Sequence, residues 1–133
     1  MGPLTFYFDR NFGKRFPEAL VLVKPPFSVE YHHSKTNKFP QNMPDDEWLS
    51  ICGKNKWVAF SHDKKFDSIA VEAAAIKAHS VATFALCGAT LDSWFKLCYF
   101  VRAHSKITDI LKTHKPPFLY RIMPNMRFHR VPL

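Results

Sequence analysis

An α/β protein with a small, largely parallel sheet follows from three features of the sequence. Short strand-like runs alternate along the chain with segments of helical periodicity, the pattern of βαβ units. One of those runs, Trp57-Val58-Ala59-Phe60, is short, continuous and apolar, as a strand covered on both faces is. The last two runs, 118–123 and 126–131, flank Pro124-Asn125 and predict a terminal hairpin.

Taken in order, Leu4-Thr5-Phe6-Tyr7-Phe8 is aromatic and β-branched, the composition of an early central strand. Phe12, Phe16, Ala19, Leu20 and Val23 then recur at helical spacing. Pro17 is tolerated only in a first turn, so the helix starts near Asn11 or, failing that, near Phe16. Pro25-Pro26 ends it. Phe27-Ser28-Val29-Glu30-Tyr31 alternates as a second strand, and 32–44 is a long polar loop. Asp45 is placed as the cap of a helix carrying Asp46 and Glu47 in its first turn. Trp48, Ile51 and Cys52 form its apolar face, and Gly53 is expected to stop it. A third helix is expected from Lys64 to His79. Thr90 is expected to cap a long fourth one with a buried stripe of Trp94, Leu97, Cys98, Val101, Ile107, Ile110 and Leu111.

With 133 residues, 47% of them apolar and 23% charged, the chain can bury a core as one domain over 1–133. No apolar run reaches bilayer length, and Met1-Gly2-Pro3 does not open an export signal. The expectation is a cytoplasmic protein without a membrane partner. Cys52, Cys87 and Cys98 share no metal-like spacing and fit reduced thiols. The seven histidines form no convincing transition-metal set, and four glycines include no phosphate loop. The net charge of +8 is unevenly placed. Residues 102–133 hold seven Lys or Arg against Asp109 alone, a net +6, which leaves +2 for the first 101. That asymmetry favours an anionic partner, with nucleic acid first. Tyr31 and Phe39, flanking the long loop, are candidate base-stacking residues.

In open α/β sheets, functional groups gather beyond the carboxyl ends of the strands. Asp9 follows the first strand, Asp63 the third, and Asp67 lies one helical turn beyond Asp63. Asp45 and Asp46 begin the second helix near the same rim. Clustered carboxylates repel, and Mg²⁺ or Mn²⁺ would remove that cost while orienting a water against a phosphodiester. The same acids also suit caps and helix starts with no metal at all.

Phe6-Tyr7-Phe8-Asp9-Arg10-Asn11-Phe12 resembles the opening of small PIN-like domains. Pro44-Asp45-Asp46-Glu47-Trp48-Leu49 is similar to their second motif, and Trp57 through Phe66, with Ser61-His62-Asp63 at its centre, to their third. The likeness covers roughly residues 4–100 and lies nearest the short proteins of bacterial toxin–antitoxin systems. It implies a three-layer α/β/α sandwich and a metal-dependent endoribonuclease acting on RNA as a toxin. A cognate antitoxin protein and a homo-oligomer are the further partners it suggests. Asp9 and Asp63 match the family's first and strand-end acids. Asp45 or Asp46 matches the middle one, with Glu47 a third choice, and Asp67 loosely matches the fourth. Asp9, Asp46, Asp63 and Asp67 would then hold Mg²⁺ or Mn²⁺, with Asn11 and Ser61 orienting them. Arg10, His62, Lys64 and Lys65 would contact substrate. The alternative is a non-catalytic PIN-like module that binds nucleic acid or protein.

Overall fold

The computed structural model describes residues 4–35, 37, 39–63, 69–87 and 92–133, without the side chains at 63 and 69–71. Strand β1 (Thr5–Phe8) leads through a 3-10 turn (Arg10–Phe12) into α1 (Arg15–Leu22). There follow β2 (Ser28–Tyr31), α2 (Asp45–Asn55), β3 (Val58–Asp63), α3 (Ile69–His79), β4 (Ala82–Cys87) and α4 (Ser93–Thr113). Strands β5 (Phe118–Ile122) and β6 (Phe128–Val131) end the chain. The sheet order is β2-β1-β3-β4-β5-β6, parallel throughout except for the β5–β6 hairpin. Helices cover both faces, giving a three-layer α/β/α sandwich with a mostly parallel sheet.

Strand alternation divides the core. Phe6, Phe8, Phe60 and Phe84 face α1 and α4, where they meet Phe16, Leu20, Phe100, Ala103 and Ile107. Tyr7, Ala59 and Ala85 face the other way, onto Trp48, Leu49 and Cys52 of α2 and Ala75 and Ile76 of α3. The first layer is built largely of rings: Phe8 packs edge-on against Phe12 and Phe16, at 5.2 and 5.1 Å between centroids. Among the described residues, no helix is long and apolar enough to cross a membrane.

Several local expectations change. The proposed start near Asn11 resolves into two elements, because Gly13 (φ 70°) breaks the backbone between the 3-10 turn and α1. Pro17 then falls in the first turn of α1, where its missing N–H costs no helical hydrogen bond. Asp45 is the first residue of α2, behind Pro44 at the cap position. That helix does not stop at Gly53. It runs to Asn55 and ends on Lys56, in the left-handed conformation at φ 56°. Gly53 instead lies where the end of α3 comes close to α2: a Cβ there would overlap the carbonyl oxygen of His79 and sit 3.2 Å from its carbonyl carbon and Cβ.

Asp92, not Thr90, provides the cap of α4, its carboxylate accepting from Phe95 N at 2.9 Å. Thr90 itself and the Lys64 start of the third helix lie outside the described residues. The buried stripe of α4 is Tyr99, Phe100, Ala103, Ile107 and Ile110. Trp94 and Val101, expected inside, are exposed. The Tyr99 hydroxyl anchors this helix to the sheet, lying between the carbonyls of Cys87 and Ile122.

Candidate functional site

The carboxyl ends of β1 and β3 form the rim where the acidic site is expected. Asp9 leaves β1 in extended conformation, its backbone N–H donating to Phe60 O at 3.0 Å. Its carboxylate then turns back to accept from Asn11 N at 3.1 Å, closing the 3-10 turn. Asn11 Nδ2 donates to His62 O at 3.4 Å, which ties that turn to β3. Lys96 Nζ of α4 donates to Asn11 O at 3.5 Å, and Arg10 Nη1 donates to Gln41 O at 2.9 Å. The turn after β1 is thus held by β3, by α4 and by the loop before α2.

Asp9 is only 5% exposed. Burial raises its pKa well above the usual carboxylate range, and Glu72 and Asp45 push it further up. The hydrogen bonds from the backbone of Asn11 and His62 oppose this without reversing it. The protonated form is therefore the one this pocket favours. Tyr7 lies on the same face of the sheet. Its pKa is likewise raised, first by burial, then by Cys52, Asp9 and Glu30. Among the described residues, the Tyr7 hydroxyl, Glu30 Oε2 and Ser61 Oγ are buried without a hydrogen-bond partner. His32, also buried, is pushed toward its neutral form by desolvation, with His33 and Arg10 adding to the effect.

The remaining acids are drawn to separate tasks. Asp45 Oδ1 accepts from the indole of Trp48 at 2.9 Å. Asp46 points to the far end of α3, where its Oδ1 lies 3.0 Å from His79 Nε2, and it is 76% exposed. Glu72, which interacts with Asp9, belongs to the first turn of α3. Seven residues separate it from His79, about 10 Å along a helix. Asp46 is thus carried away from the Asp9 pocket. The backbone of Asp63 ends β3 opposite Cys87. Its side chain, and Lys64, Lys65 and Asp67 entirely, lie outside the described residues. His62 is buried and packs on Phe12, 5.9 Å between centroids, on the α1–α4 side.

Among the described residues, no three His, Cys, Asp or Glu side chains are placed to hold a metal ion. This corrects the expectation of an Mg²⁺ or Mn²⁺ cofactor, and with it the expectation of a metal-dependent endoribonuclease. The physical reason is that the described acids are engaged by the protein itself: Asp9 closes the turn after β1, Asp45 accepts from Trp48, and Asp46 pairs with His79.

The state of Asp9 has a measurable consequence. Unfolded, it ionises near pH 3.9, whereas the folded site keeps the proton to higher pH. Between those two values the folded chain binds more protons, so this group's contribution to stability falls as pH rises and levels off above the folded pKa. Asp9→Asn keeps an acceptor for Asn11 N and removes the titration. Its stability relative to the parent should therefore rise from pH 4 upward, by about 1.4 kcal/mol for each pKa unit of elevation. Urea unfolding of both chains from pH 4 to 8 checks this; parallel profiles would contradict it.

Three side chains carry more weight here than their sequence context suggests. Glu72 sits among alanines, with no pattern to aim it at Asp9 rather than solvent. Trp94 and Phe95, adjacent and exposed, lie in an apolar stretch that reads as core. Among family comparisons, the model described as a PIN like domain matches residues 4–88. Neither a curated protein nor a solved structure gives a significant match.

Proposed function

Because the chain belongs to the PIN-like domain family, and its described acids form no metal-holding set, we propose that it is a non-catalytic nucleic-acid-binding module holding a phosphate backbone on a basic surface of α4 and β6. The observation that carries this is the placement of the C-terminal cations. Arg102 and Lys106 are exposed one helical turn apart on α4. Lys106 Nζ lies 4.8 Å from the Phe128 ring centroid, and the Arg130 guanidinium 5.9 Å from that of Tyr120. The rings hold these cations in place without neutralising them. Among the described residues, Arg102, Lys106 and Arg130 are in no ion pair. Their charge therefore remains available for phosphate oxygens.

The test is binding of a labelled single-stranded RNA across a salt series. The parent chain should show a steep loss of affinity with salt. Arg102→Gln with Lys106→Gln and Arg130→Gln should reduce the slope of log K against log salt by about 2, roughly 0.7 per lost contact. An unchanged slope would contradict the assignment, as would Mn²⁺-dependent cleavage of the RNA abolished by Asp9→Asn.

A protein partner, such as a cognate antitoxin, is the second reading. Its own supporting observation is an apolar cleft between α1 and α4, bordered by exposed Val23 and Val101 and floored by Leu20, Phe27 and Phe100. Salt-insensitive capture of such a partner, with no RNA binding, would favour it. Fold likeness decides between neither.

A further inference from the structure

The chain is rich in aromatic residues and buries nearly all of them. Phe6, Phe8, Phe12, Phe16, Phe60, Phe84, Phe100 and Phe118 are fully enclosed. Trp48 and Trp57 both stack on Tyr7, at 5.5 and 5.9 Å with interplanar angles of 30° and 12°. Against that background Trp94 and Phe95 stand apart. They are 67% and 58% exposed, and among the described residues they are the only Phe, Trp or Tyr that are exposed. Two adjacent large rings in water forgo most of the burial gain that the other rings obtain.

Their surroundings show what they face. Phe95, Arg102 and Lys106 are spaced by seven and four residues, so they fall on one face of α4, with the cations about 10 and 16 Å from the ring along the axis. The base of the helix is fixed: Lys96 Nζ binds Asn11 O, and the Asp92 carboxylate is engaged by Phe95 N. Rigid aromatic surface is thus continuous with a line of positive charge. That is the pairing a single strand requires, with bases on the rings and phosphates on the cations. A duplex keeps its bases stacked on one another and offers these rings nothing to cover.

We propose that Trp94 and Phe95 form a base-stacking platform, and that the α4 surface therefore recognises single-stranded nucleic acid in preference to duplex, with little dependence on base identity. This rests on the nucleic-acid-binding assignment above, and refines it from a charged surface to a strand-selective one.

The experiment uses the full chain and its Trp94→Ala/Phe95→Ala variant, titrated with 15-nucleotide oligo(U) and with a 15-base-pair RNA duplex at fixed salt. Labelled-strand anisotropy and intrinsic tryptophan fluorescence are both read. Both side chains are exposed, so the variant should unfold at the parent temperature. For the parent, oligo(U) should quench tryptophan emission and bind more tightly than duplex. In the variant, oligo(U) affinity should fall about tenfold or more and the quench should vanish, while duplex affinity and the salt slope for oligo(U) stay at parent values. Salt-sensitive oligo(U) binding that the variant leaves unchanged, or an equal loss for oligo(U) and duplex, would overturn the stacking platform and leave the basic surface standing. Absence of salt-sensitive binding to either nucleic acid in the parent would overturn both, and would assign the exposed rings to a protein interface.

Discussion

Replacing Phe100 with alanine is expected to lower stability by about 3–5 kcal/mol, the largest effect of any single substitution considered for this chain. Phe100 comes from the middle of α4 and reaches every element on its side of β1 and β3. Its ring lies edge-on to Phe8 and Phe16 at 5.6 and 5.7 Å, to Phe27 at 5.9 Å and to Phe60 at 5.5 Å. Truncation would remove the buried area of one ring and the edge-to-face contacts of five others, Phe6 included. Rigid strands and helices on all sides would limit collapse of the cavity. For a chain of this length the melting temperature should drop by roughly 15 °C. Thermal and urea unfolding would check it, and a loss below about 1 kcal/mol would mean that α4 does not seat on the sheet as described.

Gly53→Ala should also destabilise, although helix propensity alone argues the reverse. In the interior of α2, alanine would be favoured over glycine by about 1 kcal/mol. The added Cβ, however, would run into the His79 backbone, and a backbone carbonyl cannot move aside as a side-chain tip can. The ends of α2 and α3 would have to separate, disturbing the Asp46–His79 pair as well. The expected net loss is about 1–3 kcal/mol, larger for Gly53→Val. Urea unfolding of the two variants is the check. A gain in stability on Gly53→Ala would show that α2 and α3 are not in the close contact described.

These two residues also mark where sequence reasoning succeeds and where it fails. The order of strands and helices was legible because each strand run is short, apolar and bounded by turn residues, and because parallel strands need helical crossovers between them. The terminal hairpin was legible from Pro124-Asn125. The buried face of α4 was not. Trp94, Phe95 and Leu97 through Val101 point in almost every direction around a helix, so periodicity has no contrast to work with, and only packing on β1 and β3 selects Phe100 over Trp94. Gly53 reads as a stop in the sequence, whereas its real constraint comes from His79, twenty-six residues later.

The acidic site divides along the same line. That Asp9 lies at the rim follows from its place after β1. That Asp46 leaves the rim for His79, or that Glu72 presses on Asp9, depends on how α2 lies across α3, which no local pattern encodes. The metal expectation rests on motif alone, whereas Asp45 is taken up by Trp48 and Asp46 by His79. The crowding of cations into 102–133, by contrast, needed no structure to be seen. The fold adds that Arg102, Lys106 and Arg130 share a surface, with Trp94 and Phe95 at one end of α4.

The most direct test is amide and indole chemical-shift mapping of the ¹⁵N-labelled chain titrated with oligo(U). Binding on the assigned surface should shift the Trp94 indole and the amides around Phe95, Arg102, Lys106 and Arg130, while leaving those of β2 and the α2–α3 contact in place. Shifts centred on Asp9, Asp45 and Glu72, or no shifts at saturating strand, would contradict it.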